Sequence, residues 1–328
     1  MGRFSFSQLK TIYSNPNRFF FGNRAFLSFA RVTKKIVLPG FDGIPLYEVG
    51  DFFIKGLMRG SVSIRAGAFS YNFFMALFPA IIFLFTIIPY IPIAGFQDQL
   101  LQLMQDFFPK ATYAAVEDTV FDIIKRPRGG LLSLGFVLAL YFSTNGIHSL
   151  MIAFNQTFHS FETRTWIRVR ITSIILVFIL SFLLFIAIVL IMVGPIAIDF
   201  IADNLNIRDS FSYYLIITAK WLVTLSLLFF AYSFLYYFAP ARKSRFRFIS
   251  AGSTLATFLT ILTSIGFNYY VNNFSQYNSL YGSIGTLIII MLWIYFNAMI
   301  ILIGFELNAS IRHARENSKN NIQKQLLN

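Results

Sequence analysis

The sequence predicts an all-α membrane protein that crosses the membrane six times, with both termini in the cytoplasm. Three observations lead there. Hydrophobic residues make up 56% of the 328 positions and charged residues only 12%, where a soluble domain carries about 25% charged. Long runs are free of Asp, Glu, Lys and Arg. The basic residues alternate along the chain, dense in one set of loops and sparse in the other.

Residues 1–65 are basic and Phe-rich, as in Phe19-Phe20-Phe21-Gly22-Asn23-Arg24-Ala25-Phe26. They predict cytoplasmic helices, some lying on the membrane surface, where Phe buries and Arg meets lipid phosphate. The first long apolar run begins only at Ala66, too late for a signal peptide. A spanning helix needs about 20 apolar residues, because each rises about 1.5 Å through a hydrocarbon layer about 30 Å thick. Uncharged stretches between Arg65 and Asp98, Arg128 and Glu162, and Arg170 and Asp199 place spans one to three at 66–93, 131–156 and 171–196. Span four, 213–239, contains Lys220 and stops at Pro240. The uncharged run from Arg247 to Glu306 is too long for one helix. The polar stretch Asn272-Asn273-Phe274-Ser275-Gln276-Tyr277-Asn278 divides it into span five, 248–271, and span six, 283–307. The chain thus divides into a basic segment 1–65, a transmembrane domain 66–307 and a cytoplasmic tail 308–328.

Lys and Arg number ten in 1–65, three in 154–170, four in 240–247 and four in 308–328, against four in 97–130, one in 199–212 and none in 272–282. So 21 of the 27 fall on one side, which the positive-inside bias assigns to the cytoplasm. The same distribution accounts for the net charge of +13 without a nucleic-acid partner. The long external loop 97–130 carries two amphipathic patterns, Leu100, Leu101, Met104, Phe107, Phe108 and Val116, Val120, Phe121, Ile124, each predicting a helix at the outer interface.

Polar stripes mark the spans. Positions three, four, seven and eleven apart share a helix face. Span five aligns Ser253, Thr257, Thr260, Ser264 and Asn268; span two aligns Asn145, His148, Asn155 and His159; span six aligns Asn297, Gly304 and Asn308. Small and hydroxyl residues let membrane helices pack closely, so packing is one reading of these stripes. The other reading makes Asn145, His148, Asn155, Thr260, Ser264, Asn268 and Asn297 the lining of a substrate path. Pro79, mid-span in span one, is either a static kink or a hinge. Lys220 either snorkels or pairs inside the bundle. Glu306 and Asn308 are polar groups at the inner end of span six. Glu306 is read as a salt-bridge partner of Arg242, Arg245 or Arg312, with proton coupling as the alternative.

Weak echoes hint at a repeat of helix hairpins. Ser133-x-Gly135 and Tyr141-Phe142 of span two resemble Ser283-x-Gly285 and Tyr295-Phe296 of span six, and spans one and five both carry Ala-Gly near their inner ends. A real repeat would gather spans one, two, five and six around one axis, with their polar faces converging near the membrane centre. No catalytic set stands out. The three histidines are scattered at 148, 159 and 313 and there is no cysteine, so no zinc cluster is expected and no metal or cofactor is implied. No phosphate loop of the Gly-x-x-x-x-Gly-Lys type occurs.

Several segments resemble the YihY/BrkB family of bacterial inner-membrane proteins. They are Arg65-Ala66-Gly67-Ala68-Phe69-Ser70-Tyr71 with Leu77-Phe78-Pro79, Tyr237-Phe238-Ala239-Pro240, the stretch from Asn273 to Gly285, Leu292-Trp293-Ile294-Tyr295, and Gly304-Phe305-Glu306-Leu307-Asn308-Ala309. The likeness covers about residues 50–312. It implies a six-helix membrane protein described as a transporter or an envelope and resistance factor. A ribonuclease BN name attached to the family fits poorly, because the metal-binding His and Asp set of such nucleases is missing. The resemblance supplies no catalytic residues. Two functional expectations follow: a transporter or flippase for a lipid-like or amphipathic substrate, and a non-transporting envelope scaffold. Both have membrane lipids as partners and neither needs nucleic acid.

Overall fold

A computed structural model of the chain describes residues 33, 36–38, 40–59, 61–90, 97–98, 101, 121–122, 125–155, 164–205, 211–241, 249–273 and 283–326. The expected N-terminal helices before residue 33, most of the external 97–130 loop, the basic run 242–247 and nearly all of the family stretch 273–285 lie outside these residues. Seven α-helices follow in order: α1 (Leu46–Arg59), α2 (Val62–Ile87, prolonged by a 3-10 turn at Ile88–Tyr90), α3 (Gly129–Asn155), α4 (Trp166–Leu205), α5 (Phe211–Phe238), α6 (Ala251–Asn273) and α7 (Ser283–Leu326). All but α1 are long and apolar enough to cross a membrane. The chain is an all-helical membrane protein of six spans.

α1 is amphipathic, and its first turn carries Glu48, which suits the positive end of the helix dipole. It turns Val49 into the interior and leaves Ile54 and Met58 exposed. Ser61, in the left-handed region at φ 48°, makes the sharp corner into α2. Pro79 is buried inside the continuous run of α2 and Pro195 lies inside α4. α7 has 44 residues, about 66 Å at 1.5 Å per residue, roughly twice the hydrocarbon thickness. Its apolar half spans, and its polar half continues as helix through the segment expected to be a tail.

Each spanning helix packs on its sequence neighbours, and α7 returns to α2, so the six close into a ring. α1 lies along the outside of α7. The ring is packed unevenly. Its main core joins Ala66 and Phe69 of α2, Leu150 and Phe154 of α3, Leu176 of α4, Tyr232 and Tyr236 of α5, Ala256 of α6, and Leu302 and Phe305 of α7. These positions cluster in the half of the bundle that holds the basic segments. Toward the other end, α5 buries none of residues 211–231 and α6 none beyond Thr260. Phe182, Phe185, Trp221, Leu222 and Ile265 face outward there, where lipid is the natural contact.

Candidate functional site at the basic end

The basic end is sewn together by polar groups from distant parts of the chain. Arg164 donates to the carbonyls of Phe238 (3.4 Å) and Ala239 (2.6 Å), which lie at the C-terminus of α5, where helix carbonyls lack intrahelical partners. The backbone N–H of Ala241 donates to Asn155 Oδ1 at 2.9 Å. Asn308 accepts from the Gly252 N–H at 2.8 Å and donates to Ser250 Oγ at 3.1 Å, tying α7 to the start of α6. The two helices meet at glycines. A Cβ added to Gly252 would collide with the Gly304 carbonyl and the Asn308 side chain, and one added to Gly304 would meet the Tyr236 hydroxyl and lie 2.7 Å from the Gly252 carbonyl. Only glycine permits that approach. Tyr236 completes the joint by donating to the Ile301 carbonyl at 2.9 Å, and Phe305 stacks on Phe154 with centroids 4.1 Å apart.

Below this joint lies a cavity of about 400 Å³. Tyr236, Tyr237 and Pro240 of the α5 end, Ser250, and Phe305 and Asn308 of α7 line it, with the charged Asp42, Arg312, Arg315, Glu316 and Lys319. Arg315 is held by Asp42 at 3.0 Å.

A second polar locus sits on another face of α7. Glu306 is fully buried and Arg65 is 6% exposed, with Arg65 Nη2 3.9 Å from Glu306 Oε2. Arg65 Nη1 donates to the Ala153 carbonyl at 2.6 Å. Among the described residues, Arg65 Nε and Nη2, both Glu306 oxygens and Ser310 Oγ have no hydrogen-bond partner. On the α1 side the carboxylate rests against Gly56, where a Cβ would overlap it. Of the expected partners of Glu306, Arg242 and Arg245 lie outside the described residues; among the described residues its ion partner is Arg65, not Arg312. Arg312 lines the cavity instead, because six residues turn it about 120° around the helix from Glu306.

The residues read as a substrate path go to separate neighbours. Asn145 accepts from Arg170 Nη1 at 2.5 Å, and that guanidinium also lies over Tyr141. Asn155 serves the 241 backbone. Thr260 meets the Tyr232 hydroxyl at 2.6 Å and bonds back to Ala256. Ser264 bonds back to Thr260 and Asn297 to Trp293, each within its own helix. His148 is half-buried and Asn268 exposed. The ring places α3 between α2 and α4, and α6 between α5 and α7; of the stripe positions, Asn145 bonds to α4 and Thr260 to α5. Lys220 lays its stem against Gly194 of α4, with Nζ 4.9 Å from the Trp221 ring centroid. Sequence reasoning missed Arg65, Arg170 and Ser310. Arg65 and Arg170 were legible as charges bordering apolar runs, but nothing local announces that they turn inward.

The matched family segments coincide with this end of the bundle: Arg65 to Ser70, Tyr237 to Pro240 and Gly304 to Ala309 all supply buried or bonded positions there. Residues 53–326 match the family model described as Virulence factor BrkB. The chain belongs to the BrkB family of membrane proteins. Among its relatives, the Bacillus subtilis (strain 168) ribonuclease-like protein YfkH is 31% identical over 258 residues, covering 77% of this chain and 90% of that one. A UPF0761 membrane protein of Alteromonas mediterranea is 26% identical over 286 residues, 84% of this chain and 91% of its own. One of Haemophilus influenzae is 22% identical over 274 residues, 82% and 96%. No solved structure matches. Among the described residues, no group of three or more His, Cys, Asp or Glu could hold a metal ion.

Proposed function

We propose that this protein is a transporter or flippase of an amphipathic, lipid-like substrate in the bacterial inner membrane, with its basic end in the cytoplasm. The observation that carries the reading is the uneven ring. Its core is concentrated in the basic half, while α5 over 211–231 and α6 over 261–271 bury no residue. A carrier that opens to alternate sides needs one end closed while the other is accessible. The cavity beside Tyr236, Phe305 and Asn308 is lined by Arg312, Arg315 and Lys319 together with Asp42 and Glu316, and this mixed charge suits a zwitterionic or anionic headgroup on the basic side. Scaffolding is the second reading, and the glycine joint of α6 and α7 favours it, since so close a contact resists sliding.

The two readings separate in proteoliposomes. The full chain is reconstituted in vesicles containing fluorescent phosphatidylglycerol, and a membrane-impermeant quencher reads how fast lipid crosses between leaflets. Transport predicts faster crossing than in vesicles without protein, and a loss of that increment in Asn308→Leu and Arg312→Gln. Crossing no faster than in protein-free vesicles rejects the transport of this lipid class and leaves scaffolding.

A further inference from the structure

The Arg65–Glu306 locus is poorly accounted for by packing. Burying two charges is expensive, and a pair that serves stability alone needs close geometry and further hydrogen bonds around it. Here the nearest approach is 3.9 Å, and four polar atoms of the pair lack partners. Ionisable groups within a spanning bundle more often mark an ion or proton route.

The surroundings supply such a route. Glu306, Ser310 and His313 are spaced four and three apart, so they lie on one stripe of α7. Glu306 and Ser310 are fully buried, whereas His313, nearer the helix end, is half-buried with Phe52 of α1 edge-on at 4.9 Å. α1 covers the stripe, and opposite Glu306 it presents Gly56, which has no side chain to fill the space. The charged neighbours are few. α2 contributes Arg65; α3 has no Asp, Glu, Lys or Arg and only His148; α6 has no charged residue. On α1, Lys55 and Asp51 pair with each other at 2.6 Å, Glu48 of the first turn is exposed, and Arg59 is the last residue. Arg65 keeps its proton at any physiological pH. Glu306 is therefore the group at this locus that can gain or lose one.

We propose that Glu306 is a proton-binding site, reached from the basic end along His313 and Ser310 and covered by α1. A proton from water at that end adds to a Glu306 carboxylate oxygen, while Arg65 stays charged and held by the Ala153 carbonyl. Resting on the transport reading above, this site couples substrate movement to a proton gradient.

The binding step is tested without transport. Full-length protein is reconstituted in vesicles of phosphatidylethanolamine and phosphatidylglycerol, and infrared difference spectra between acid and alkaline buffer read the protonated-carboxyl stretch. A band that is present in the wild type and missing from Glu306→Gln is expected, with several-fold slower deuterium exchange of that band in Ser310→Ala. Identical spectra for the wild type and Glu306→Gln overturn the proposal. Should Glu306→Gln not fold, the double variant Arg65→Met/Glu306→Leu replaces both charges by apolar groups of similar size, a change that buried pairs often tolerate. Its spectrum must lack the same band. Coupling is read with fluorescent phosphatidylglycerol in vesicles carrying an imposed pH gradient. The wild type should respond to the gradient and the double variant should not. Lipid movement indifferent to the gradient in the wild type removes the coupling. Should no lipid move at all, the transport reading fails and the infrared result alone decides the proton site.

Discussion

Replacing Gly252 by alanine tests the close joint between α6 and α7. A Cβ there would run into the Gly304 carbonyl and the Asn308 side chain. The carbonyl belongs to a helix backbone that cannot swing aside, so the helices must separate, and overpacking of this kind costs about 1–3 kcal/mol. Separation also stretches the hydrogen bond from the Gly252 N–H to Asn308, 2.8 Å long and worth about 0.5–1.5 kcal/mol. Against this, alanine is the better helix former by about 1 kcal/mol. The net expectation is a loss of about 2 kcal/mol, which for a chain of this size lowers the unfolding midpoint by about 3 °C. Gly304→Ala should behave alike, since its Cβ would meet Tyr236 and lie 3.0 Å from Ala256 Cβ. Gly266 is the control. It sits on the same helix with nothing within 4 Å of an added Cβ, so Gly266→Ala should be neutral or gain up to about 1 kcal/mol. The assay is the thermal loss of monodisperse protein in detergent, measured by size-exclusion chromatography. The reasoning is refuted if Gly252→Ala proves as heat-stable as Gly266→Ala.

Cysteines placed singly at Gln102, Asn204 and Gln276 should react with an impermeant thiol reagent added outside intact cells, and one at Ser244 should not. External labelling at Ser244 would reverse the assigned orientation. Purified protein should leave RNA intact; metal-dependent cleavage that disappears on changing His148 or His159, and is absent from a mock purification, would contradict this. Asn145→Leu removes the acceptor of Arg170, a charge-assisted bond worth about 1.5–3 kcal/mol, so thermal stability should drop. A large loss of lipid movement with stability unchanged would instead restore Asn145 to a substrate path.

Six apolar stretches were legible as six spanning helices because lipid imposes one length and one polarity on every span. The end of α7 was not. Beyond Asn308 the chain turns polar, and hydropathy cannot tell a helix leaving the membrane from an unstructured tail. The polar stripes were visible, but their partners were not, since periodicity fixes a face and not the neighbour it meets. Thr257 and Ser264 show the result: each hydroxyl is satisfied by a carbonyl one turn back on its own helix, so a polar stripe need not line anything. Arg65 was hidden by its usefulness as a topology marker. A basic residue at the border of an apolar run is normally an anchor at the interface, and only the folded ring shows it turned inward to Glu306.

The two contacts of α7 at the basic end differ in kind, and the difference says where motion belongs. Toward α6, glycines bring backbone against backbone, and Asn308 bonds both Gly252 and Ser250. Interfaces packed at that density have few alternative arrangements. Toward α1 and α2, the contact holds a buried ion pair at 3.9 Å with hydrogen-bonding capacity unmet, and α1 enters α2 through a left-handed corner at Ser61. Polar groups left partly satisfied in a low-dielectric interior gain from any shift that satisfies them. A rearrangement driven by the charge of Glu306 would therefore move α1 and α2 against α7 while α6 and α7 travel together as one rigid pair. Crosslinking draws the distinction. A disulfide locking α6 to α7 beside Gly252 should leave lipid movement intact, and one locking α1 to α7 beside Gly56 should stop it.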